Sequence, residues 1–137
     1  MKIKTFVKTV KMLVGMLVVS LIVNSSLCGQ SDILTLDGDN FKEKTTEGIV
    51  VVEYWAGWNK ANMVTSITEV TGAKIYRIEI DSNLILQTEN AVIVVPTIVF
   101  YDDGKEYKRL QGDLSFTLDV TKKDLQKIID EILLSKF

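Results

Sequence analysis

The stretch VVEYWAGWNKANM, residues 51–63, gathers the side chains best placed to do chemistry. It holds one carboxylate, Glu53, and two asparagines, Asn59 and Asn62, three residues apart and directly after Trp58. The amides can donate and accept hydrogen bonds, but they carry no titrating proton near neutral pH and are poor nucleophiles. Elsewhere the inventory is thin. The chain has no His and a single Cys, Cys28, which excludes the usual general base, the usual metal-ligand sets and any internal disulfide. No Ser has a His to activate it. The DGDN run at residues 37–40 hints at a calcium loop, but Phe41 and Lys42 stand where a polar ligand and a glycine are needed. Asp102 and Asp103 read as turn residues, so neither a metal nor an organic cofactor is expected.

The elements that must position this stretch follow from periodicity. IVVVEYW, Ile49 to Trp55, is the continuous β-branched run of a central strand buried on both faces. ILTL from Ile33 predicts a short strand before it, and a short helix that Asp39 can cap lies between the two. Residues from Asn59 to about Val70 predict a helix closed by Gly72, with Asn59 as its N-cap and Asn62 in its solvated first turn. KIYRIEI from Lys74 alternates as a strand, and SNLILQTEN predicts a helix opened by Asp81 or Ser82. TIVFY after Pro96 and EYKRLQG pair across the DDGK turn as a hairpin. Thr121 and Asp124 have capping-box spacing at the start of a closing amphipathic helix. The order βαβαβαββα predicts an α/β fold with a mixed central sheet flanked by helices, and 47% hydrophobic content supplies its core.

The first 28 residues read differently. Lys2, Lys4, Lys8 and Lys11 precede an uncharged apolar run, residues 12–23, and then NSSLCGQS. That is the pattern of a bacterial-type secretory signal; the run is shorter than the roughly 20 apolar residues of a comfortable membrane span. We therefore read residues 1–28 as a signal peptide and 29–137 as the mature domain, exported to the periplasm or tethered to the envelope. Cys28 is a candidate for lipidation, although Leu27 and Ser25 fit a lipobox poorly; an uncleaved anchor is the alternative. The mature chain carries 12 basic and 18 acidic side chains, a net charge of −6, which argues against a nucleic-acid partner.

Three segments together resemble the thioredoxin-like family. The strand ending in an acid followed by YWAGW is similar to the strand that leads into the family's redox turn. VVPTIVFYDDGKEYKRLQG resembles its cis-proline segment, hairpin and terminal glycine, and the spacing from Glu79–Asp81 to Pro96 also fits. The resemblance covers nearly the whole mature chain. It implies that Asn59 and Asn62 occupy the positions of the two redox cysteines, with Lys60 and Ala61 between them. Disulfide exchange needs a thiolate there and a second thiol to resolve the mixed disulfide, so the family's chemistry should be absent. Glu53 falls where many members keep a buried carboxylate; without thiols it should be an inherited buried acid, paired or protonated. Relative to the family, the helix after Asn59 is about two turns short and lacks its kinking proline.

What the resemblance leaves is a recognition surface. It implies that Trp58, Asn59, Lys60, Ala61, Asn62, Val95 and Pro96, with a cis bond before Pro96, line a groove for a protein partner or an extended peptide. Two alternatives stand beside this. One is action with a cysteine supplied by a partner, and the other is a structural module whose contact face is the closing helix.

Overall fold

The computed structural model describes residues 33–137; the signal segment and Cys28 lie outside the described residues. Five strands form one mixed sheet. They are β1 (Leu34–Thr35), β2 (Ile49–Trp55), β3 (Lys74–Glu79), β4 (Thr97–Asp102) and β5 (Lys105–Gln111), in the spatial order β1-β3-β2-β4-β5. The first three are parallel, whereas β4 runs antiparallel to β2 and β5 antiparallel to β4. Three α-helices accompany them, α1 (Phe41–Thr45), α2 (Leu84–Glu89) and α3 (Lys122–Leu134). Among the described residues no helix is long and apolar enough to cross a membrane.

The alternation of β2 builds the core on both sides of the sheet. Val50, Val52 and Tyr54 join Ile78, Leu86, Val99 and Tyr101 on one face. Ile49 and Val51 join Ile98, Phe100 and the apolar stripe of α3, Leu125, Ile128, Ile129 and Ile132, on the other. The predicted capping box is in place: the Asp124 amide donates to Thr121 Oγ1, and the Thr121 amide donates to the Asp124 carboxylate. At the β4–β5 turn Asp103 and Gly104 have φ values of 48° and 83°, the left-handed pair that a two-residue hairpin requires.

Three sequence expectations are corrected. Asp39 does not cap α1: Asn40 precedes it, and the Asp37 carboxylate instead accepts from the Asp39 and Asn40 amides as a closed turn. Neither Asp81 nor Ser82 opens α2; they lie in a 3-10 turn, Ile80–Ser82, and Asp81 reaches back to the Gly57 amide. The largest departure is the helix expected from Asn59 to Val70. Two 3-10 turns, Gly57–Asn62 and Thr65–Glu69, stand there instead, separated by extended backbone at Met63 and Val64. Val64, Thr65, Ile67, Thr68, Val70 and Thr71 are β-branched, and their restricted χ1 disfavours a continued α-helix. The shortened segment still covers the sheet, because Val64 and Ile67 are buried in the α3-side core.

Candidate functional site

Glu53 is fully buried on β2, directly opposite Arg77 of β3 in the strand register. Arg77 Nε donates to one carboxylate oxygen at 2.7 Å, and the Val64 amide donates to the other at 2.6 Å. Arg77 Nη2 also donates to the Val64 carbonyl at 3.2 Å. The pair thus satisfies both backbone groups of the residue where the two 3-10 turns break, and it fixes the path of the shortened segment. Burial pushes the Glu53 carboxyl up from its ordinary 4.5, while the Val64 amide and then the Arg77 guanidinium pull it back. Sequence reasoning placed Glu53 as a buried acid but missed Arg77, whose position within KIYRIEI gave no sign of a partner 24 residues away.

Asn59 is buried, and it is not an N-cap: Ala56 holds that position, and no side chain caps the turn. Its amide nitrogen donates to the Phe116 carbonyl at 2.9 Å and, more weakly, to the Val95 carbonyl at 3.4 Å. Its amide oxygen accepts from Asn62 Nδ2 at 2.8 Å. Asn62, expected as a solvated first-turn residue, is exposed but bonded inward. The two asparagines therefore tie the 57–62 turn to the proline loop and to the loop after β5. Val95 and Pro96 are buried and joined by a cis bond, and the Pro96 carbonyl accepts from the Gly112 amide at 2.8 Å. The Val95 carbonyl thus already carries the weak Asn59 contact. A Cβ on Gly112 would lie 2.9 Å from the Thr117 carbonyl and 3.1 Å from that of Pro96, so only glycine fits this approach.

Phe116, unassigned from sequence, completes the site. Its φ of 57° is costly for an aromatic residue, and the Asn59 bond to its carbonyl helps hold it there. Its ring meets Trp58 edge-on, with centroids 5.0 Å apart at 89°. Trp58 stays 61% exposed, and Ile93 and Leu114, in the two flanking loops, are 87% and 95% exposed. The SFT run in a polar loop carried no periodic signal that could have marked Phe116. Lys60 and Ala61 are exposed beside Trp58. Upstream of Pro96, Arg109 donates to the Asn90 and Ala91 carbonyls and pairs with Glu106, anchoring the chain that leads to Val95 and Pro96. The arrangement offers an aromatic edge, exposed aliphatic side chains and fixed amides, with no thiol among the described residues.

The thioredoxin family model matches residues 32–131. A thioredoxin of Chlamydia trachomatis serovar D is 29% identical over 80 residues, 54% of this chain and 78% of that protein. A thioredoxin of Staphylococcus haemolyticus is 23% identical over 108 residues, 74% of this chain and 98% of that protein. Among solved structures, a mutant thioredoxin from Halobacterium salinarum NRC-1 superposes with a TM-score of 0.62 at 23% identity, covering 72% of this chain and 88% of that one. A Malassezia sympodialis thioredoxin does so with a TM-score of 0.58 at 21% identity, covering 72% and 89%. With the family match spanning almost all of the described residues, this chain belongs to the thioredoxin family.

Proposed function

We propose that this protein is a redox-inactive thioredoxin-like protein of the cell envelope that binds a protein partner or an extended polypeptide through the groove at Trp58, Val95 and Pro96. The observation that carries the reading is the Asn59 amide. It sits where disulfide exchange needs a thiolate, and its hydrogen bonds build the groove rather than react within it. Exposed aromatic and aliphatic groups beside a rigid backbone suit an extended ligand. The envelope assignment rests on the lysine-led apolar run and on the small and polar residues that follow it.

Two measurements test this together. The protein should reduce insulin disulfides no faster than dithiothreitol in buffer, and turnover above that background would sink the redox-inactive reading. In a Trp55→Phe background, which leaves Trp58 as the only indole, an extended apolar peptide should shift Trp58 fluorescence with an affinity on the order of micromolar. Trp58→Ala should weaken that binding by about 1–2 kcal/mol. Ligands that perturb only α3 would favour the structural-module alternative.

A further inference from the structure

Resting on the peptide-binding reading, we infer that the groove selects extended segments in which an apolar residue is flanked by Arg or Lys. The loops that form this end of the sheet, residues 57–62, 79–83, 90–96 and 111–117, contain a single cation, Lys60, against the carboxylates of Glu79, Asp81 and Asp113. Two of those acids converge on the residue before Trp58. Asp81 Oδ2 accepts from the Gly57 amide at 2.8 Å, and Glu79 Oε1 lies 3.0 Å from where a Gly57 Cβ would stand. Gly57 has no side chain to cover them. Asp113, in the loop after β5 and one residue before the exposed Leu114, accepts from the Ser115 and Thr117 amides through one oxygen. Among the described residues none of the three carboxylates has a cationic partner, whereas Glu53, Glu106, Asp102 and Asp103 all do.

A bound Arg or Lys could lay its aliphatic stem along the open Trp58 ring and set its charge at Glu79 and Asp81, with the neighbouring apolar residue against Leu114 and Phe116. The same rim repels anionic lipid, nucleic acid and a second acidic copy of this chain, which leaves a basic polypeptide as the complementary occupant.

The test uses the full chain and three synthetic peptides that share one apolar centre and differ only in flanking residues: Arg, Gln or Glu. In dilute buffer the Arg peptide should bind about tenfold more tightly than the Glu peptide, the scale expected for two screened surface contacts. That ratio should collapse in about 0.5 M salt, where the Debye length falls to a few ångströms. Glu79→Gln and Asp81→Asn should each cut the ratio several-fold; Asp81→Asn keeps an acceptor for the Gly57 amide, so the fold has no cause to change. Equal affinities for the Arg and Glu peptides, with the Trp58 response intact, would overturn the charge preference and leave peptide binding standing. If none of the three perturbs Trp58, the groove reading falls with it.

Discussion

Glu53 and Asn59 show how buried polar side chains order the backbone around the candidate site. Both are buried polar groups, and each pairs with one side chain and with backbone groups of a neighbouring loop. Because burial raises the Glu53 carboxyl, the native state holds its proton more tightly than the unfolded chain does. Its stabilising contribution is therefore complete below the ordinary carboxyl range and is lost as pH rises through the folded value. Arg77→Ala removes the cation that opposes this shift, so the carboxyl should rise further. The variant should lose about 3 kcal/mol at pH 7, as for a buried pair broken from one side, and clearly less near pH 4, where a protonated Glu53 needs no cation. Urea unfolding at the two pH values checks this, and an equal loss at both would mean that the carboxyl keeps one protonation state across that range. Asn59→Ala should cost about 1–2 kcal/mol through its lost bonds, and it should loosen Phe116 from Trp58, seen as a changed Trp58 emission.

At the scale of elements, the site is a junction of three loops, and its tightest point is Gly112. Gly112→Ala must push the Thr117 or Pro96 carbonyl aside. It should destabilise the fold by about 1–3 kcal/mol, as for other overpacking changes, and weaken peptide binding more than a distant variant of equal stability. Comparing peptide affinity with the urea midpoint across such variants separates the two effects. The elements that were legible in the sequence share a property: their signals are local. The β-branched run of β2, the DDGK turn and the Thr121–Asp124 capping box each act within a few residues. The stretch from Asn59 to Val70 departs from the expected helix because its conformation is also set from outside. Glu53 and Arg77 hold Val64, Ser66 donates to the Val120 carbonyl, and Asn59 reaches the Phe116 carbonyl. The apolar spacing suggests a helix, but the β-branched residues of the segment oppose one, and the distant contacts fix the path it takes instead. The exposed Trp58 and the cis Val95–Pro96 bond were legible through resemblance, whereas the parts played by Phe116 and Arg77 required the fold.

For the whole molecule, the export proposal makes its own prediction. Produced in a bacterial host, the chain should shorten by roughly 25–30 residues, the length of a signal segment, which intact-mass measurement of the isolated protein will register. If Cys28 is lipidated, radiolabelled palmitate should be incorporated into the wild type and not into Cys28→Ser. A full-length membrane-bound product without label would favour the uncleaved anchor.

The amide bridge from Asn59 and Asn62 has a consequence at this scale too. A pair of thiols would close and open with the supply of electrons, and the shape of the surrounding loops would follow. Two carboxamides have no such second state. The clamp on Val95 and Phe116 is as firm in an oxidising compartment as in a reducing one, and as firm at pH 5 as at pH 8. On the proposed function, peptide binding here would follow the concentration of the peptide and the salt, and the site would act as a constant rather than a switch.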